Sequence, residues 1–194
     1  MKQTTVNEEI FMRIIMFISI NLILSLVFFE CSNYNCVINT AHRGASGIAP
    51  ENTMIAVMTA IEAGSNFSEI VVQETKDGVL VLLHDGNLKR TTGLDRNIWE
   101  MPYDSIVGLD AGSWFGSEFK DEPIPKLLYL IDAVKGKMKL NIELKLNGHV
   151  KQLAERVVAI VEDTDFISNC ILTSFDFKII NKVKQLNENI KVGY

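Results

Sequence analysis

The sequence predicts an α/β fold in which a parallel sheet is covered by helices. Three observations carry that prediction. Short apolar runs alternate with segments whose apolar residues recur at helical spacing. The runs are apolar on both faces, as strands buried between helices are. Polar residues gather where those runs end, the place at which parallel α/β folds assemble their sites. With 194 residues, 47% of them hydrophobic, the chain can pack one core and has little room for a second.

Residues 1–9 form a polar tail. Residues 10–29 read IFMRIIMFISINLILSLVFF, with Arg13 the only charge. About 20 apolar residues cross a bilayer as a helix, so a transmembrane anchor is predicted over 10–30, making a membrane a partner. A cleaved signal peptide would need a positive start and small residues at its cleavage site. Here Glu8 and Glu9 offset Lys2 and Arg13, and the exit Phe28-Phe29-Glu30-Cys31 is bulky and acidic. Lys and Arg are too few on either side to set the orientation. Residues 31–36 form a linker.

From residue 37 the alternation begins. Residues 37–41 suit a buried strand. Met54, Val57, Met58 and Ile61 follow at helical spacing and are closed by Gly64. Residues 67–73 are strand-like, Asp77-Gly78 signals a turn, and residues 79–83 form another apolar run. Residues 87–125, rich in Gly, Asp and aromatics, interrupt the pattern as an insertion, and a loop of that length is usually functional. Alternation resumes with a helix at 127–134 and a strand at 138–144. A helix then presents Val150, Leu153, Val157 and Val161 on one face. A strand at 170–173, a helix carrying Ile180, Val183 and Leu186, and a run at 190–194 complete the chain. These amount to six strand candidates against the eight of a closed (β/α) barrel. Either the sheet is open or a barrel lacks its last two units.

A net charge of -5 gives no reason to expect nucleic acid as a partner. Cys31, Cys36 and Cys170 are odd in number and form neither a disulfide framework nor a zinc spacing, so free thiols are expected.

His42-Arg43-Gly44 follows the first strand, Glu69 and Gln73 lie in the second, His84-Asp85 closes the third, and Glu143 with Lys145 closes the fourth. Singly, each has an ordinary structural reading: a loop histidine, a polar strand end, an internal ion pair. Four strands delivering this set to one rim is hard to explain as packing. Two carboxylates facing one lumen repel unless a cation lies between them, and hard oxygen ligands suit Ca²⁺ or Mg²⁺. Two histidines can share acid and base roles, while Arg43 and Lys145 would hold a phosphate. Metal, cationic clamp, acid and base are what phosphodiester hydrolysis needs. His149, on a predicted helix N-terminus, reads as surface.

Four stretches are familiar as a set. AHRGASGIAPENT (41–53), TKDGVLVLLHD (75–85), LDAGSWF (109–115) and NIELK (141–145) resemble, in order and spacing, the signatures of the glycerophosphodiester phosphodiesterase family. The apolar segment ahead of them resembles the bacterial branch in which a membrane domain precedes the catalytic one. The resemblance implies a TIM-type (β/α) barrel over 37–194, with 87–125 as its insertion, and hydrolysis of a small glycerophosphodiester to glycerol 3-phosphate and an alcohol. It implies His42 and His84 as the acid/base pair and Arg43 and Lys145 as phosphate contacts. Glu69 and Glu143 would be ligands of a divalent cation, Trp114 and Phe115 an apolar wall beside the substrate, and Glu51 and Asn52 supporting residues of the first loop.

Two departures accompany it. The family's second strand usually reads Glu-x-Asp, and here Glu69-Ile70-Val71 stands in its place. Alternation puts Glu69, Val71 and Gln73 on one face and Glu74 on the other, so Glu74 is no substitute and weaker cation binding is expected. The barrel is also expected to be incomplete at its C-terminal end, with about six of eight strands. An alternative therefore stands beside the enzyme: a catalytically impaired relic or phosphodiester-binding module that keeps Arg43 and Lys145. A phospholipase of similar barrel type is a third reading, against which LDAGSWF argues.

Overall fold

The computed structural model describes Met16 and residues 37–194. The expected tail, anchor and linker, with Cys31 and Cys36, lie outside the described residues, Met16 excepted. Among the described residues no helix is long and apolar enough to cross a membrane. Ile38–Tyr194 forms one compact unit.

Strands β1 (Thr40–Ala41), β2 (Phe67–Glu74), β3 (Leu80–Leu82), β4 (Lys139–Leu144), β5 (Cys170–Thr173) and β6 (Lys191–Gly193) alternate with helices α1 (Met54–Glu62), α2 (Lys89–Thr92), α3 (Leu127–Val134), α4 (Leu153–Asp163) and α5 (Phe177–Leu186). β1, β2, β4, β5 and β6 run parallel in that order, as the two-sided apolar runs predict. β3 is a correction. It pairs antiparallel with β2, Val72 opposite Leu82 and Glu74 opposite Leu80, because Asp77-Gly78 makes a tight reversal rather than a crossover. Gly78 takes a φ of 85°, which this turn requires.

The long β2 shares one edge among three partners. Its first residues pair with β1, Thr40 with Phe67, and its last with β3. The middle is filled by the first loop: Gly44 N donates to Glu69 O at 3.1 Å, and Val71 N donates to the Asn52 side-chain oxygen at 2.9 Å. Every backbone group along this edge thus finds a partner without a continuous neighbouring strand. Gly44 is required here, since a Cβ would lie 2.7 Å from the Ala56 backbone.

Ile70, Val72, Leu140, Ile142, Leu144 and Leu172, none more than 1% exposed, build the main core beneath α1, α3, α4 and α5. β3 divides this core from a second one. Leu80 and Leu82 face the sheet's core, while Val81 pairs with Leu83, Leu88, Ile98, Tyr103, Ile106 and Ile124 of the insertion. Residues 87–125 therefore form a packed subdomain, with α2 inside a stretch that lacks a helical period. Three smaller differences follow from local chemistry. The first strand starts at Thr40, its predecessors being exposed. Val150 precedes α4, and Leu186 at the end of α5 is 40% exposed. Cys170 is a buried free thiol, pushed up to about 11 by burial.

Candidate active site

His42, Arg43, His84, Glu143, Lys145, Ser174, Phe175 and Asp176, with Leu144 and Leu146, line one cavity of about 520 Å³. β1 ends at Ala41 and delivers His42 and Arg43. β4 carries Glu143 and releases Lys145 just past its end. His84 arrives differently from the expectation. β3 climbs down against β2, Leu83 N donating to Val71 O at 3.0 Å, so the next residue returns to the level of the first loop.

Gln73, fully buried, fixes that return. Its side-chain nitrogen donates to the carbonyls of Leu83, His84 and Asp85 at 3.0, 3.0 and 2.9 Å. An amide has two hydrogens, so one is shared. Its oxygen accepts from Asn147 at 3.0 Å, tying this corner to the loop after β4.

His84 is held at both nitrogens. Nδ1 lies 2.8 Å from Asp85 Oδ1 and Nε2 lies 2.9 Å from Lys145 Nζ. An ammonium can only donate, so Nε2 accepts and the proton of the neutral ring sits on Nδ1, toward Asp85. The hydrogen bond from Arg90 is the main reason the Asp85 carboxyl is lowered to about 2, with His84 adding to it against burial.

Arg43 stands in a left-handed conformation at φ 53° and its backbone N–H donates to Glu69 Oε2 at 2.7 Å. Nη1 reaches Glu51 Oε1 at 3.2 Å, while its buried Nε has no hydrogen-bond partner among the described residues. Glu69 is 8% exposed. Burial first, with the Glu143 charge contributing, raises its pKa above the usual carboxylate range, against the Arg43 N–H and His42. Val71 lies between these acids in the register, directly paired with Glu143, and is 0% exposed.

The supporting residues of the first loop take structural places. Asn52 is buried, at φ 56°, with its oxygen on Val71 N. Glu51 receives Arg90 Nη2 at 2.7 Å and Nη1 at 3.1 Å. Burial opposes its charge, but the two arginines outweigh that and lower its pKa. Glu74 is committed elsewhere, accepting from Lys151 N at 2.8 Å and pairing with Arg156 at 2.9 Å.

Trp114 and Phe115, expected as a wall beside the substrate, are not among the residues lining this cavity. The LDAGSWF segment is tied to itself: Asp110 accepts from Gly112 N and Ser113 N at 2.8 and 2.9 Å, and the Trp114 indole donates to Ala111 O at 2.9 Å. Trp114 faces the Arg90 guanidinium at 5.5 Å, and Phe115 packs edge-on between Trp114 and Phe119. The aromatic side chain on the cavity is Phe175, 86% exposed and two residues past β5, beside Leu144 and Leu146. Its only sequence signal was position at a strand's carboxyl end. His149 is exposed as expected, but it has a partner, stacking on Trp99 at 4.3 Å. Arg90 joined the network unannounced.

The comparisons with known proteins agree with this geometry. Residues 42–194 match the Glycerophosphoryl diester phosphodiesterase family. A glycerophosphodiester phosphodiesterase of Caldanaerobacter subterraneus is 35% identical over 156 residues, covering 79% of this chain and 64% of the relative. The crystal structure of an Oleispira antarctica phosphodiesterase, in complex with the product sn-glycerol-3-phosphate, superposes with a TM-score of 0.71 at 36% identity, covering 80% of this chain and 64% of that one. A glycerophosphodiester phosphodiesterase of Agrobacterium tumefaciens gives a TM-score of 0.73 at 31% identity, covering 79% and 64%. The chain spans 62–64% of the length of the first curated relatives it matches. On these grounds the fold is that of a TIM-barrel-like phosphodiesterase, and the chain belongs to the glycerophosphoryl diester phosphodiesterase family.

Proposed function

We propose that this chain hydrolyses glycerophosphodiesters to glycerol 3-phosphate and an alcohol, aided by a divalent cation at Glu69 and Glu143. The observation that carries this reading is the cavity itself, where two cationic side chains and two histidines converge from three separate segments. Arg43 Nε, buried and without a partner among the described residues, is a donor in wait for an anion. The product seen in the Oleispira relative supports the substrate class.

The cation is tested by the donors present. Burial is the main cause of the raised Glu69 pKa, and the Glu143 charge adds a repulsion that a cation would relieve. Among the described residues no group of three or more His, Cys, Asp or Glu is arranged to hold a metal ion, and Val71 occupies the place where a third carboxylate would stand. Such a pair fits an ion of the Mg²⁺ kind, which takes one or two carboxylates and fills its shell with water and phosphate oxygens. Ca²⁺ would need more of its larger oxygen shell from waters and substrate. When bound, the ion would neutralise charge building on the phosphate.

The chain's own groups then divide the work. Arg43 and Lys145 clamp the phosphate oxygens. Engaging the phosphate draws Lys145 Nζ from His84 and frees Nε2, which takes a proton from the attacking water. Asp85 stabilises the imidazolium that results. His42 supplies the proton that the departing alkoxide needs.

A second reading has an observation of its own. Val71 leaves the acid pair incomplete, which favours a chain that binds phosphodiesters at Arg43 and Lys145 without turning them over. Glycerol 3-phosphate release from glycerophosphocholine in millimolar Mg²⁺ separates the two. Chelator-sensitive release that disappears in His42→Ala supports hydrolysis. Binding of sn-glycerol 3-phosphate with no release supports the second reading.

We also place the chain at the bacterial cell membrane through residues 10–29, on the strength of their apolar sequence. Resistance of the full chain to carbonate extraction is the expected result, and complete release into the wash contradicts it.

A further inference from the structure

Arg90 belongs to the insertion and touches neither phosphate-binding cation. It nevertheless sits at the centre of the longest side-chain network in the site. Nε donates to Asp85 Oδ2 at 2.6 Å, while Nη2 and Nη1 donate to the two oxygens of Glu51 at 2.7 and 3.1 Å. Beyond Glu51 lies Arg43, and beyond Asp85 lies His84, which meets Lys145. The hydrogen bonds therefore run without a break from Lys145 through His84, Asp85, Arg90 and Glu51 to Arg43. They join both phosphate-clamping groups and one histidine. The Trp114 ring faces the guanidinium at 5.5 Å.

The chemistry of the fork matters. Two carboxylates from different loops, 34 positions apart in sequence by number (51 and 85), are spanned by one planar guanidinium using donors on three nitrogens. A lysine offers one point charge and cannot hold both with that geometry. An ion pair whose arginine is 40% exposed contributes little to overall stability. What the arrangement fixes is position. Glu51 held by Arg90 shares its charge between two arginines, so Arg43 is oriented but not fully neutralised. Asp85 held by Arg90 presents its other oxygen to His84 Nδ1, which sets the tautomer. Trp114 of the third signature thereby gains a role: the self-tied LDAGSWF turn holds its ring against this guanidinium.

We propose that Arg90 is a positioning residue of the active site, tying Glu51 to Asp85 so that Arg43 and His84 face one cavity in working orientation. The proposal rests on the hydrolytic reading for its kinetic consequence but not for its structural one, and the test uses both. Arg90→Ala and Arg90→Lys are compared with the native full chain. In steady-state hydrolysis of glycerophosphocholine, kcat is expected to fall on the order of 10²-fold in Arg90→Ala, since small misplacements of reacting groups cost that much. Arg90→Lys should recover part of the loss, and added guanidinium should restore Arg90→Ala toward native. A melting temperature close to native in Arg90→Lys keeps a folding defect apart from a positioning defect. Independently of turnover, ¹⁵N spectra of His84 should show a protonated Nδ1 in the native chain and a mixture of tautomers in Arg90→Ala. If the native chain is inactive but the His84 signature shifts as stated, the hydrolytic reading fails and the positioning role stands. If Arg90→Ala keeps the native His84 signature, or keeps native kcat in an active chain, the positioning role is overturned.

Discussion

Restoring a carboxylate at position 71 is the sharpest perturbation of the cation site. Val71 is 0% exposed and directly paired with Glu143 across β2 and β4, with Glu69 two residues away on the same face. Paired residues on neighbouring strands have β-carbons about 5 Å apart. Two unit charges at that separation repel by about 3 kcal/mol at an effective dielectric near 20. Val71→Asp should therefore cost about 3 kcal/mol in chelator, with desolvation of the new carboxylate adding to it. For a chain of this size each 1 kcal/mol moves the melting temperature by roughly 2–4 °C, so the variant should melt roughly 6–12 °C below native. A cation at about 100 times its dissociation constant returns about 2.7 kcal/mol. Differential scanning fluorimetry of both proteins across a Mg²⁺ titration reads these shifts directly. The variant should rise steeply with Mg²⁺ and the native chain only slightly. A variant that melts with the native protein in chelator, or that ignores Mg²⁺, would refute the placement of position 71 between two acids.

Other sites make separate demands. Asn52→Ala orphans the buried Val71 N–H and puts alanine at φ 56°, so it should destabilise the fold by about 2–4 kcal/mol, read by urea denaturation. Gln73→Leu removes the donor to three carbonyls beside His84 and should cost about 1–3 kcal/mol, together with a kcat loss of roughly tenfold or more. Asp85 is lowered from 3.8 to about 2 in the fold, so the unfolded chain binds the proton first as pH falls. The stability it contributes is complete above about pH 4 and is lost on the way down to about pH 2. Urea midpoints across that window should fall more steeply for the native chain than for Asp85→Asn.

The sequence made the barrel legible where period and composition agreed. The strands at 139–144 and 170–173 and the helix at 127–134 stand where the apolar pattern puts them, because burial on two faces leaves little choice. β3 was legible as a strand and not in direction, since an apolar run carries no sign of parallel or antiparallel pairing. Only the Asp77-Gly78 reversal announced it. In the site, His42, Arg43, His84, Glu143 and Lys145 meet because each sits at a strand end. Arg90 escaped notice because it acts from a four-residue helix inside an aperiodic insertion, where spacing says nothing about which side chains will converge. The place of Trp114 was not legible either: only the local turn shows that its ring faces the Arg90 guanidinium at 5.5 Å.

The most direct test of the central claim is ³¹P spectroscopy of glycerophosphocholine with the purified full chain, in Mg²⁺, in chelator, and with His42→Ala. The account predicts conversion of the diester signal to glycerol 3-phosphate in Mg²⁺ alone. Conversion that continues unchanged in both controls would contradict it, as would a native chain that leaves the diester intact.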